Sequence, residues 1–468
     1  MNPSSSYTPA EILFDGLGAR YETAYSSSPN FLTFLSSVIT TLPPHSRVLD
    51  IGCGTGVPVS SMIASAGHNV HGLDVSGEMV KLARARVKSG TFEKADMRSW
   101  SPAGAETGFD AAFVVFSLYQ VSPAETMKLC YRFGEWIAPG GVLVVGTTPS
   151  GWLPSLEDET DNNSEGNNGL YVEDPTYNAV RHVGKRWMGS RTIETFFSEE
   201  TWRGMLAGAG FEVEREEYYD FEPQDASHRV TERHHFFVAR RKAGVPLLGP
   251  YPLPMGLTGL SEVARPVRGF LDRVVSAELD GLRLSGTVLC MGGESRFTGP
   301  NIQSFSEFPF ETLPFAPNTF TITICPHVLD STPDVPKAIS ELVRVTARTP
   351  ESQMIFLQAA PDNEVVQLLN ANVQHQGLLL ATAMEELRAQ GFEVLNLKRV
   401  RAWYEFSEVD GSDRCRVAAE TLSGLYQGGR REDDNDMEEL RRRLALYFLD
   451  ETTTVGYDMV MLTTRASA

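Results

Sequence analysis

Three glycines and three acids carry the first chemical signal. The stretch RVLDIGCGTG (47–56) sets Gly52, Gly54 and Gly56 at alternate positions after a short apolar run, with Asp50 just ahead of them. Glycines here let the backbone turn sharply and let a ligand approach with no Cβ in the way. A second run, GLDV, ends in Asp74, where a carboxylate can take both hydroxyls of a ribose. A third ends in Ala95-Asp96-Met97. Each piece alone recurs by chance. Together, in order and each after a strand-like run, they form a specific set.

The dinucleotide turn reads GxGxxG, with amides facing a pyrophosphate. This chain has GxGxG followed by Val57-Pro58, and the charge of Asp50 suits a ligand ammonium better than a phosphate. The set therefore points to S-adenosylmethionine, whose ammonium and sulfonium are cationic.

The elements around these residues alternate. Short apolar runs at 48–51, 69–73, 111–116 and 142–145 are separated by helical patterns at 62–66, 79–87 and 124–137. Such alternation predicts a parallel sheet covered on both faces. Residues 150–195 interrupt it with an acidic, polar tract (157–168) and an aromatic-rich piece holding Tyr171, Tyr177, Trp187 and Met188, read as a surface loop or as a cap over a site. The pattern resumes with a helix at 198–209 and strands at 211–219 and 234–240. The Pro- and Gly-rich stretch 243–259 is the linker candidate.

With those residues in place, the first half resembles a class I S-adenosylmethionine-dependent methyltransferase of the small-molecule type. The matching stretches are VLDIGCGTG (48–56), GLDVSGEMV (72–80), ADM (95–97), FDAAFVVFSLYQV (109–121) and PGGVLVV (139–145). The resemblance implies that Asp50, Gly52, Cys53 and Gly54 lie at the methionine end and that Asp74 holds the ribose. Val75 and Met97 flank the adenine, Asp96 accepts its amino group, and Met79 belongs to the same cofactor-binding set. Phe116 and Ser117 pass near the sulfonium, and Tyr21, in FDGLGARYETAY (14–25), fits the segment that closes over the cofactor. A base is needed only when the acceptor must lose a proton. Tyr119, His182 and His228 are the candidates, with Gln120 in an orienting role.

The second half repeats the first, as internal duplications do. TFTITICPHVLDSTPDVPKAISELV (319–343) echoes FDAAFVVFSLYQVSPAETMKLCYRF (109–133), and YDMVMLTTR (457–465) echoes HHFFVARRK (234–242). In TVLCMGGESRFTG (287–299), however, Glu294 and Arg296 stand where Gly54 and Gly56 stand in the first copy. The following span is about 30 residues short, where strand two, its acid and strand three belong. The expected architecture is thus α/β. Two Rossmann-like doubly wound sheets are expected: the first (1–242) complete with a cap insertion, the second (260–468) shortened and degenerate, serving as a pocket wall, an interdomain support or a dimer surface.

Bulk properties narrow the partners. Sixty acids against 41 Lys and Arg give a formal charge of −19, which disfavours nucleic acid and anionic membrane as partners. Five cysteines without CxxC spacing and nine histidines without HExxH spacing give no metal signature and suit a cytoplasmic protein. No secretory leader or long apolar run is evident. The expectation is methyl transfer to a small molecule, a specialised metabolite in type, with a homodimer compatible. The rival is a methyltransferase-like cyclase or pericyclase that binds the cofactor without transferring methyl.

Overall fold

The computed structural model describes residues 7–26, 28–102, 108–153, 169–225, 231–242, 286–291, 300–306, 309–329, 332–369, 376–400, 402–423, 434–450 and 452–467. The chain divides into two compact units, Met1–Leu247 and Leu248–Ala468.

In the first unit the strands are β1 (Arg47–Ile51), β2 (Asn69–Asp74), β3 (Thr91–Lys94), β4 (Phe109–Val115) and β5 (Ile137–Thr147), followed by β6 (Leu170–Asp174), β7 (Ala179–Trp187), β8 (Ser190–Phe197), β9 (Phe211–Phe221) and β10 (Glu232–Arg241). Seven form one sheet in the order β3-β2-β1-β4-β5-β10-β9. The first five run parallel, and β10 is antiparallel to both β5 and β9. The parallel strands are buried on both faces, which is why β1 and β4 read as continuous apolar runs.

The helices are α1 (Ala10–Leu17), α2 (Ala19–Tyr25), α3 (Pro29–Ile39), α4 (Val59–Ser65), α5 (Gly77–Arg86), α6 (Pro123–Trp136) and α7 (Glu199–Gly208). Four start on a serine whose hydroxyl accepts from the backbone N–H three residues on: Ser28, Ser76, Ser122 and Ser198. Each satisfies an orphan donor of the first turn. One face of the sheet is packed by a cluster that includes Phe31, Phe34, Leu35, Ile63, Val80, Phe113 and Phe236.

The cap takes the form of a small antiparallel sheet, β6-β7-β8. It is docked on the segment between β4 and α6 through Thr195, whose N–H donates to Tyr119 O and whose hydroxyl donates to Val121 O, both at 2.7 Å. The acidic tract expected at 157–168 lies outside the described residues, as does the linker 243–259.

The second unit has β11 (Val288–Met291), β12 (Ile302–Phe305), β13 (Ile322–Pro326), β14 (Gln353–Ala359), β15 (Phe392–Val400), a two-stranded ribbon of β16 (Trp403–Glu405) and β17 (Thr454–Gly456), and β18 (Met459–Ala466). Its main sheet is ordered β12-β11-β13-β14-β18-β15. This is the first unit's order with one edge strand fewer. β18 is antiparallel to β14 and β15, as β10 is to β5 and β9. Helix α8 (Val335–Val345) buries Val335, Ala338, Ile339, Leu342 and Val343, the face its spacing predicted.

One expectation is corrected. Strand two was placed among the missing length, yet β12 pairs parallel with β11 in that position. Ten residues connect β11 to β12 where seventeen connect β1 to β2, and only a counterpart of β3 is missing among the described residues.

Candidate functional site

A cavity of about 650 Å³ opens at the carboxyl ends of β1, β2 and β4, where open parallel sheets bind ligands. All its lining residues lie between Ala10 and Arg233. One end is built by the glycine turn. Gly52, Gly54 and Gly56 have φ of +71°, +52° and +79°, values other residues rarely adopt. A Cβ on Gly52 would stand 2.3 Å from that of Ser117, so only glycine lets the β1 and β4 ends approach this closely. The amides of Gly52 and Cys53 both donate to Leu73 O and pin the turn to β2.

Asp74 closes this end. Its Oδ2 accepts from Gly54 N–H at 2.9 Å and its Oδ1 from Ser76 N–H at 2.8 Å. Burial pushes its carboxyl up, against the lowering effect of those amides. Two amides leave further lone pairs on the carboxylate for ligand hydroxyls. Val75, Ala95, Asp96 and Met97 continue the wall. Burial raises the Asp96 carboxyl, but the hydrogen bonds and charge of Arg98 outweigh it and hold the group below its ordinary value. Arg98 grips Asp96 through Nε at 3.0 Å and Nη2 at 2.6 Å. Phe116 holds a φ of +56°, uncommon for a bulky residue, and Tyr21 reaches to 3.9 Å of a Cβ built on Gly54. The glycine cradle, the acid at the end of β2 and the apolar flank of Val75 and Met97 fit S-adenosylmethionine in size and donor set.

Thus Tyr21, Gly52, Gly54, Asp74, Val75, Asp96, Met97, Phe116 and Ser117 come together on one surface. Three expected contacts do not line it, and the reason is local packing. Asp50 is 2% exposed and accepts from the Ser60 hydroxyl; burial pushes its carboxyl up to about 7. Cys53 turns its Sγ towards Gly72, and burial raises its thiol. Met79 is fully buried on α5.

The other end is aromatic. Tyr21 stacks on Tyr25 at 5.1 Å, and Trp187 of the cap lies 6.2 and 6.1 Å from the two rings. Phe116 and Tyr119 lie nearly parallel at 6.5 Å, and Phe196 meets Tyr119 at 5.5 Å. Of the proposed bases, Tyr119 lines the cavity with its hydroxyl 3.0 Å from Thr148 Oγ1. Burial raises its phenol well above the ordinary value, so it is a hydrogen-bonding group and not a base at neutral pH. His182 lines the cavity against Tyr171, ring centroids 4.0 Å apart, and Gln120 lines it too. His228 lies outside the described residues.

Sequence reasoning missed Glu232, Glu194, Lys185 and Arg233, which also line the cavity. Lys185 Nζ binds Glu194 Oε2 at 2.7 Å. Glu232 Oε1 accepts from the Tyr25 hydroxyl at 2.9 Å, and its Oε2 lies 2.9 Å from His234 Nε2. No spacing rule marks a charged residue at the first position of an antiparallel strand or on a cap hairpin.

In the second unit, sheet register aligns Cys290 with Asp50 and Ser304 with Gly72, so that Ser306 falls at the place of Asp74. Register also aligns His327 with Phe116, and both carry the same uncommon backbone, φ +52° and +56°. Gly292, Glu294 and Arg296 lie outside the described residues. No helix among the described residues is long and apolar enough to cross a membrane, and no group of three metal-ligating side chains occurs among them.

Comparison with known proteins follows the same lines. A family model described as a methyltransferase domain matches residues 48–141, and another methyltransferase-domain model matches residues 268–349. A trans-aconitate 2-methyltransferase of Delftia acidovorans is 36% identical over 100 residues, 21% of this chain and 37% of that protein. The dTDP-3-amino-3,6-dideoxy-alpha-D-glucopyranose N,N-dimethyltransferase of Streptomyces fradiae is 32% identical over 105 residues, 22% of this chain and 40% of that protein. The chain therefore spans well under two thirds of the length of the curated relatives it matches. Among solved structures, the magnesium protoporphyrin IX methyltransferase of Synechocystis, with bound S-adenosylhomocysteine, is 16% identical with a TM-score of 0.34, covering 49% of this chain and 98% of that one. Motif set, sheet order and the two matched stretches agree: residues 48–141 and 268–349 are two methyltransferase domains in one polypeptide, similar to those of S-adenosylmethionine-dependent methyltransferases.

Proposed function

We propose that the first unit transfers a methyl group from S-adenosylmethionine to a small-molecule acceptor, in specialised metabolism, and that the second unit is a degenerate copy that does not bind the cofactor. The observation that carries this reading is the single continuous cavity, with a glycine-and-acid cradle at one end and an aromatic, cap-covered chamber at the other. The bound cofactor supplies a methyl carbon already activated by its sulfonium.

What remains for the protein is alignment and exclusion of water. Gly52, Gly54 and Asp74 fix the cofactor's position. Phe116, held in its unusual backbone conformation, presents a ring face where positive charge is to be accommodated. Tyr21, Tyr25 and Trp187 close the chamber from α2 and the cap. Relatives named for trans-aconitate and for an amino sugar share only the hundred or so residues around the cradle, so likeness to them supports the cofactor end and leaves the acceptor open.

Incubation with methyl-labelled cofactor and a library of small acceptors tests the reading. A labelled product supports it. An isomerised, unlabelled product, or failure of the purified chain to bind S-adenosylhomocysteine, overturns it.

A further inference from the structure

The acceptor end of the cavity is an aromatic chamber with a carboxylate in its wall. Glu232 opens β10 and is held by the Tyr25 hydroxyl from α2 and by His234 from its own strand. Its side chain retains 20% exposure, into a cavity it lines. Burial raises the phenol pKa of Tyr21, Tyr25 and Tyr119, and the negative charge of Glu232 adds to the rise in each. The rings of Tyr21, Tyr25, Trp187, Phe116 and Tyr119 supply π faces around it.

Three of the four Lys and Arg side chains that line the cavity are ion-paired. Lys185 is bound to Glu194, Arg98 to Asp96, and Arg233 to Asp220 while lying 3.8 Å over the Trp152 ring. Arg186 is exposed. An aromatic box closed by a carboxylate attracts a cation and repels an anion.

We propose that the acceptor is an amine, seated as its ammonium against Glu232 and the surrounding rings, and that Glu232, backed by His234, takes the proton released from nitrogen. This assignment rests on the methyl-transfer reading. The bookkeeping closes: the ammonium gives one proton to Glu232, and the freed lone pair forms the C–N bond. The C–S bond breaks with its electron pair going to sulfur, leaving S-adenosylhomocysteine and a methylated ammonium. The buried tyrosines stay protonated and serve as walls and donors, not bases.

Titration calorimetry on the full chain loaded with S-adenosylhomocysteine tests this, using 2-phenylethylamine against 2-phenylethanol and then a panel of alkyl, aryl and sugar-derived primary amines against their alcohols. The amines should bind about tenfold or more tightly than their alcohols. In Glu232→Gln that preference should vanish while S-adenosylhomocysteine affinity stays unchanged, a result that also reports an intact fold. Should the variant lose S-adenosylhomocysteine, the parent's own preference decides, with Tyr25→Phe expected to weaken it. Equal binding by amines and alcohols, a preference that survives in Glu232→Gln, or no binding by any amine overturns the proposal. Methyl-labelled cofactor with the same panel separates the two readings. Label on nitrogen supports both; label on oxygen, sulfur or carbon overturns the amine and leaves methyl transfer standing. Bound amine with no label in any class overturns methyl transfer and upholds the amine site.

Discussion

The two units carry one main-sheet plan, and among the described residues the two main sheets differ at a single edge. In the first, β2 is flanked by β3, and Phe92 of β3 sits so close over Gly72 that a Cβ there would stand 2.5 Å from its ring. In the second, the matching strand β12 is the outer strand, and the matching residue, Ser304, is exposed. Among the described residues no strand pairs with the outer side of β12, so nothing there calls for a glycine, and the acid of Asp74 becomes Ser306. Meanwhile β13 keeps the left-handed residue that follows β4, His327 for Phe116, with the same hydrogen bond back to the neighbouring strand at 2.8 and 2.9 Å. What the packing requires persists among the described residues, whereas the acid at the end of β2 has no counterpart at the end of β12.

The sharpest way to break this contrast is Gly52→Val. Overlap with Ser117 and a φ of +71° together should cost several kcal/mol in the cradle, and calorimetry should find S-adenosylhomocysteine binding abolished. Asp74→Ser gives the first unit the second unit's residue. Losing hydrogen bonds to a carboxylate is worth about 2 kcal/mol, so affinity should fall about thirtyfold. The reciprocal Ser306→Asp should change nothing: one S-adenosylhomocysteine per chain before and after. Two per chain in the parent would sink the reading of the second unit as degenerate.

A further contrast concerns Asp50 and its counterpart Cys290. The folded Asp50 carboxyl keeps its proton up to about pH 7, whereas the unfolded one releases it near 4. The folded state thus binds more protons across that window, so this group's contribution to stability is full below pH 4 and is lost as pH rises to about 7. Denaturant midpoints at pH 5 and pH 8 should show the loss in the parent and a flatter dependence in Asp50→Asn. An equal slope in both would mean that the carboxyl ionises as freely inside the fold as outside.

Much of this was legible in the chain. Alternating apolar runs fixed the strands, because a strand buried on both faces cannot afford polar residues. The glycine and acid spacings placed the cofactor cradle, because those contacts are made by residues local to one turn and by the ends of adjacent strands. Asp50, Cys53 and Met79 do not line the cavity, because a motif gives position along the chain and not the direction a side chain takes. The cap was ambiguous between loop and lid; as β6-β7-β8 it is a small sheet tied by Thr195 to the backbone of Tyr119 and Val121.

The sequence by itself determined the parallel sheets, the cofactor turn and the internal repeat, since each is written in local periodicity. Only the tertiary structure decided that Glu232, some 180 residues beyond that turn, shares a chamber with Tyr25 and Trp187, and that β12 still occupies strand two's place. Those facts depend on which strands become neighbours, and neighbours in a sheet are chosen by packing across the whole unit, not by residues adjacent in the chain.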